Sequence, residues 1–308
     1  MTAVTQPLER RDAIDTAAVV FMLMLTMSWG MNGVAAKLAT SGYNPIFLNV
    51  ARSGIACVLV YLWCLYRRVP LFARDGTLWA GILAGLLFGT EFILVFVSLE
   101  HTTVARNSLL VNTMPFWVLI GAHFWLGERM SLQKLFGLIL AFGGVAVVFA
   151  DKLGDAGGPT LFGDLLALVA GLLWALTTLA IKGTKLASAG AEKVLLYQLV
   201  VSALMAIPLV SLAGPAFRDV STVATGALLF QAVYVVAFTY ILWFWLMRRY
   251  PAAGLSSFAF LSPAFSVICG WLVLGEALTW NIFLALGLIA TGLIIVNRPS
   301  RRRAAGAE

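Results

Sequence analysis

Arg52 and Glu91 are the two residues that place an ionised side chain well inside long apolar stretches of this chain. A charge at such depth is costly, and it is kept where it meets a partner or faces a cavity. A guanidinium and a carboxylate at matching depth could pair, or could jointly orient a zwitterionic ligand. A buried structural ion pair is the competing reading. Uncharged polar residues share the apolar stretches: Asn32, Asn112, Gln198, Gln231, Tyr234 and Tyr240. Any one of them could simply bond across helices. Collectively they would supply the convergent polar groups of a substrate cavity, with Asn32, Asn112, Gln198 and Tyr240 as the candidates. Trp29 and Trp174 would add an aromatic wall. Such a wall with sparse polar groups suits an amphipathic organic solute better than a metal ion or a phosphate.

Other chemistry finds no support. The chain has no HExxH, no GxSxG and no paired carboxylates within its apolar stretches, so no enzyme is expected. No GxxxxGK[ST] occurs, so no built-in ATPase is expected. Cys57, Cys64 and Cys269 lack metal-ligand spacing and read as packed thiols. His101 and His123 have no second ligand nearby. Neither a metal nor a cofactor is expected.

The elements that position these residues are membrane spans. Of 308 residues, 61% are hydrophobic and 11% charged, against about 25% charged in a soluble domain. A crossing helix needs roughly 20 apolar residues. That length yields ten spans near 14–38, 46–66, 77–98, 103–125, 132–150, 160–183, 190–212, 222–247, 252–274 and 279–297. Spans 1 to 5 occupy 14–150 and spans 6 to 10 occupy 160–297, between a polar head (1–13) and a basic tail (298–308). The first stretch is too long for the apolar core of a secretory signal. Arg52 then lies roughly 9 Å, and Glu91 roughly 10 Å, from the same face at 1.5 Å per residue.

The two halves are related. Trp29 and Lys37 in span 1 repeat as Trp174 and Lys182 in span 6. Pro115, Leu126-Gly127-Glu128 and Gly144 recur 148 positions later as Pro263, Leu274-Gly275-Glu276 and Gly292. Five spans per half force opposite orientations, and inverted repeats are the mark of a transporter. With the N-terminus cytoplasmic, 16 Lys and Arg fall inside and 4 outside. That bias predicts both termini in the cytoplasm. The net charge of +7 therefore reflects topology, not nucleic acid. Trp63, Trp79, Trp125, Trp243, Trp245, Trp271 and Trp280 fall near span ends and read as interfacial anchors. Lys37 and Lys182 read as helix-end anchors. Trp29, Trp117 and Trp174 remain at depth.

Two five-helix halves, each ending helix–Leu-Gly-Glu–helix with small residues in the last span, resemble the EamA-type transporters of the drug/metabolite transporter superfamily. The motif stretches run Pro115 to Val148 and Pro263 to Val296, and the resemblance covers about 17–297. The deep Trp29 and Trp174 and the aromatic-rich spans 3 and 8 look most like the YddG-type amino-acid exporters. The resemblance implies an all-α membrane protein of ten transmembrane helices in two inverted five-helix repeats. It implies a secondary transporter in a bacterial-type inner membrane, exporting small organic metabolites by alternating access around a midplane cavity between the repeats. Amino acids, aromatic or otherwise neutral, are the leading class. A proton-coupled multidrug or organic-cation exporter is the alternative, and a membrane enzyme or passive scaffold a distant one. Span 1 lacks a mid-span Glu or Asp, which argues against the proton-exchanging site of the related small multidrug exporters. The partners implied are a small-molecule substrate and the lipid bilayer. Oligomeric state is not encoded legibly.

The motif residues have physical readings of their own. Glu128 and Glu276 sit in short turns, each three residues before a good N-cap, Ser131 or Thr279, where negative charge is favoured. Pro115 and Pro263 fall mid-span and predict kinks, either static bends or flex points for gating. Gly81, Gly85 and Gly89 form a small-residue stripe suited to close helix packing.

Overall fold

A computed structural model describes residues 11, 13–101, 104–148, 161–274 and 280–298. Spans 1 to 3 are α1 (Thr16–Gly42), α2 (Pro45–Tyr66) and α3 (Leu78–His101). Span 4 comes in two pieces, α4 (Val104–Val111) and α5 (Met114–Trp125), and span 5 is α6 (Leu132–Val148). Span 6 is α7 (Leu161–Gly183), and span 7 is α8 (Ala191–Ala206) continued by a 3-10 stretch, Ile207–Ala213. Span 8 joins α9 (Thr222–Leu229), a π-helical stretch (Phe230–Thr239) and α10 (Tyr240–Arg249). Span 9 joins α11 (Ala252–Ser257), a 3-10 turn (Phe258–Phe260) and α12 (Leu261–Leu274); α13 (Asn281–Asn297) is span 10. Among the described residues, seven helices are long and apolar enough to cross a membrane, and three shorter apolar helices supply spans 4, 5 and 10.

The packing obeys a twofold. Spans 5 and 10 pack together, as do 2 and 7, and each of these pairs is its own mate. Span 3 against 6 is mirrored by 8 against 1, span 3 against 7 by 8 against 2, and span 1 against 9 by 6 against 4. The main core accordingly draws side chains from both repeats. At the α6–α13 crossing, a Cβ on Gly292 would lie 2.5 Å from the Gly137 carbonyl oxygen, and one on Gly144 2.8 Å from that of Ala285. These are one contact made twice, since both partners are displaced by 148 positions. The stripe on α3 lies against α8, with Gly81 facing the Tyr197 ring.

The mid-span prolines correct the expectation of simple kinks. Span 4 breaks at Asn112 and Thr113, and Pro115 sits in the first turn of α5. A proline ring clashes with the carbonyl four residues back, here that of Val111, but is accommodated where a helix starts. Span 9 changes from 3-10 to α at Phe260 and Leu261, again 148 positions on, with Pro263 in the first turn of α12.

Glu128 and Lys182 also depart from expectation. Ser131 does cap α6, accepting the Lys134 N–H at 3.2 Å. The Glu128 carboxylate, however, accepts the N–H groups of Ala252 (2.8 Å) and Ala253 (3.3 Å), across the molecule at the start of span 9. Those are orphan donors of another helix's first turn, and an anion satisfies them well. Lys182 stands at the end of α7, as expected of a helix-end anchor, but its side chain is turned inward. Its ammonium is buried, donates to the Tyr250 carbonyl and stands 4.0 Å from Glu128. Thr279 and Glu276 lie outside the described residues, as does the side chain of Lys37.

Near the same end, Asp75 clasps the loop before α3 to α8. Its carboxylate meets Lys193 Nζ at 2.7 Å and accepts from Thr77 N (3.1 Å) and Oγ1 (2.6 Å). The Lys193 bond, then Thr77, hold the Asp75 carboxyl well below the usual carboxylate range. A depressed folded value means stability present above the ordinary carboxylate range and lost as pH falls through the depressed value. Asp75 is solvent-accessible, so the effect is modest. Asp75→Asn should lower the melting temperature by a few degrees at neutral pH. Melting curves of the two proteins should stay apart at about pH 4 and converge only in stronger acid.

Candidate functional site

Four helices each turn one stripe toward a common space. α1 supplies Trp29 and Asn32; α3 supplies Phe88, Glu91, Phe92 and Val95. α7 supplies Trp174, Thr177, Thr178 and Ile181, and α10 supplies Tyr240, Trp243 and Phe244. Steps of three and four residues keep each set on one helix face. Val111 and Asn112 at the break in span 4, Gln198 of α8 and Ser262 of α12 complete a cavity of about 220 Å³. Trp29 with Asn32 and Trp174 with Thr177 are repeat mates, 145 positions apart. Both proline-bearing spans, the broken span 4 and the 3-10-to-α span 9, therefore deliver residues to the cavity, as irregular helices do in carriers built from inverted repeats.

Trp29 is the centre of the aromatic wall. Its ring meets those of Trp174, Tyr240 and Trp243 edge-on, at centroid distances of 6.4, 6.3 and 5.5 Å. Its Nε1 donates to Thr239 Oγ1 at 3.1 Å, and that hydroxyl donates in turn to the Val235 carbonyl at 2.5 Å. Thr239 closes the π-helical stretch. Such widened turns inside helices are frequent at functional sites.

Thr177 and Thr178 bond back to their own helix, but several other polar atoms of the wall are unmatched. Asn32 Oδ1, Glu91 Oε2, both polar atoms of the Gln198 amide and Ser262 Oγ are buried without a hydrogen-bond partner. Each such group costs about 1–3 kcal/mol when left unmatched, and native proteins carry few. Their gathering at one aromatic cavity is the arrangement that a polar ligand would match. Glu91 is the one charged residue among those lining the space.

Of the residues singled out in the sequence, Trp29, Asn32, Glu91, Asn112, Trp174, Gln198 and Tyr240 come together here. Arg52 is buried but does not line the cavity. Its Nη2 donates to Asn49 Oδ1 at 3.2 Å, and its guanidinium lies 4.2 Å from the centroid of the Phe92 ring. Among the described residues no ion pair joins it to Glu91. Gln231 and Tyr234 are elsewhere, and Tyr234 bonds Ser28 at 2.9 Å. His123 is exposed beside the Glu128 backbone. Pro115 and Pro263 do not line the cavity, but Asn112, in the break just before Pro115, and Ser262, next to Pro263, do.

Trp243 corrects the sequence reading. It is 5% exposed and packs on Trp29, so it is no interfacial anchor. Proximity to a span end suggested the anchor, whereas the step from Tyr240 to Trp243 and Phe244 carried the better signal of a shared helix face. Phe88, Phe92, Thr177 and Thr178 were legible by the same spacing from Glu91 and Trp174. Thr239 lacked that spacing but stands 148 positions after Glu91, the offset of the repeat, so the duplication carried its signal.

A profile described as the EamA-like transporter family matches twice, over residues 16–150 and 161–298. The chain belongs to that family. Among curated relatives, this EamA-like transporter is 27% identical to the uncharacterised transporter YoaV of Bacillus subtilis, over 89% of this chain and 94% of that protein. It is 30% identical to the uncharacterised protein PA1977 of Pseudomonas aeruginosa, over 94% and 97%. It is 26% identical to a probable amino-acid metabolite efflux pump of Escherichia coli, over 90% and 93%. A crystal structure superposes with a TM-score of 0.79 at 19% identity, covering 94% of this chain and 99% of the other, which establishes the fold. The chain is thus a multi-pass membrane transporter of two five-helix repeats.

Proposed function

We propose that this EamA-like transporter exports small amphipathic metabolites that carry an amino group, with neutral and aromatic amino acids as the leading class. The observation that carries the reading is the set of unpartnered polar atoms gathered in an aromatic cavity, with Glu91 its one charged lining residue. An ammonium group matches that carboxylate, a flat apolar side chain matches Trp29, Trp174 and Tyr240, and the Gln198 amide serves the remaining polar end. Transport proceeds by alternating access between the repeats, from a bacterial cytoplasm, with both termini on the cytoplasmic side. The Lys and Arg bias and the bacterial relatives support that placement, and the name of the Escherichia coli relative supports the substrate class.

A second reading has an observation of its own. Arg52 is held on Asn49 and Phe92, off the cavity wall, so a ligand carboxylate meets no lining cation. That favours an organic cation. Purified protein in liposomes, assayed for counterflow of labelled neutral amino acids and of labelled organic cations, decides between the two. Saturable amino-acid counterflow without a pH gradient is the expected result. Cation flux driven by a proton gradient, with no amino-acid flux, would replace the first reading by the second.

A further inference from the structure

α7 carries the cavity wall down one face to Ile181, and the next residue is Lys182. The Lys182 and Glu128 side chains are 6% and 13% exposed. Lys182 Nζ donates to the Tyr250 carbonyl, and Glu128 accepts the first N–H groups of span 9. Glu128 belongs to the connection between spans 4 and 5, in the first repeat. Lys182, Tyr250, Ala252 and Ala253 belong to the second. One small polar cluster thus ties the two repeats together, a single residue beyond the cavity wall.

We infer that Glu128, Lys182 and the first turn of span 9 form a latch that closes this end of the cavity and must part in each transport cycle. The inference rests on alternating access, but on no particular substrate. The charge bias assigns this end to the cytoplasm. A charge-assisted cluster suits a reversible closure. When it parts, the carboxylate, the ammonium and the freed backbone groups all exchange protein partners for water, whereas an apolar closure would expose its packed surface. The bonds themselves are directional and strong enough to hold the closed state. The same residue types recur in the sequence as Lys37 and Glu276.

The test reads which face of the membrane reaches the cavity. Thr178→Cys is placed in a chain carrying Cys57→Ala, Cys64→Ala and Cys269→Ala, in vesicles of known orientation. Its labelling by a membrane-impermeant maleimide is timed from each side. Adding Lys182→Met or Glu128→Gln should speed labelling from the Glu128 side about tenfold or more, the population shift for losing one charge-assisted hydrogen bond. Labelling from the opposite side should not rise. The double variant should match the single ones, because both open the same cluster. Unchanged rates, or equal gains from both sides, overturn the latch. Should either variant fail to reach the membrane, hydrogen exchange on the unmodified protein carries the test. The Ala252 and Ala253 amides should exchange far faster than that of Ala175 in the middle of α7, and equal protection overturns the latch. Neither measurement needs a transported solute, so its outcome is separate from the choice between amino acids and cations.

Discussion

Glu91→Gln should cut counterflow of the transported solute by about tenfold to a hundredfold, the loss given by one charge-assisted hydrogen bond to a ligand ammonium. The same substitution should also destabilise the protein, because it leaves the buried Arg52 guanidinium to Asn49 and the Phe92 ring. Leaving one buried charge without any opposite charge nearby costs more than removing both. Arg52→Met with Glu91→Gln should therefore regain most of the melting temperature lost in Glu91→Gln alone, while counterflow stays low. The two readouts separate the roles left open by the sequence. If the double variant recovers transport together with stability, Glu91 is a structural counter-charge and not a ligand contact. Arg52→Met alone tests the converse, and the place of Arg52 beside Phe92 but outside the lining predicts a smaller effect on apparent affinity than on stability.

The second large effect is on folding. Gly292→Ala puts a methyl group 2.5 Å from the Gly137 carbonyl oxygen and 2.7 Å from the Ala141 nitrogen. Both are backbone atoms of a packed helix and cannot swing aside, so the crossing must open. Overpacking of this kind costs about 1–3 kcal/mol. Gly292→Leu should go further and leave no monodisperse protein on size exclusion in detergent. Gly287 lies on the same helix with nothing within 4 Å of its would-be Cβ. Gly287→Ala should be neutral or gain about 0.5–1 kcal/mol from helix propensity. A loss at Gly287 equal to that at Gly292 would show that the effect is generic to the helix and not to the crossing.

The periodic features of the molecule were legible in the sequence, and the cross-chain ones were not. Span edges followed from apolar length, so that α2 and α13 start within a few residues of expectation. The repeat followed from the 148-position echo, and the packing obeys it. Seven of the seventeen lining residues followed from polar and aromatic side chains deep inside apolar stretches, since such polar groups have few places to go. Three readings failed for a common reason. Lys182, Glu128 and Trp243 were placed by their nearest chain neighbours, whereas each is committed to a different span. The tie from Glu128 to Ala252 joins residues 124 positions apart. Linear spacing cannot encode such a tie. Arg52 is a related case: depth along the helix put it level with Glu91, but the rotation of α2 turns it onto Asn49 and Phe92.

The contact shared by α6 and α13 has a consequence for how the protein is made. Span 5 enters the bilayer well before the ribosome reaches Asn281, where its main partner begins. Through that interval the glycine face of α6 has only lipid or other spans beside it. Joining spans 5 and 10 is accordingly a late step of biogenesis, and a chain interrupted before Asn281 would carry an unfilled seam along its first repeat.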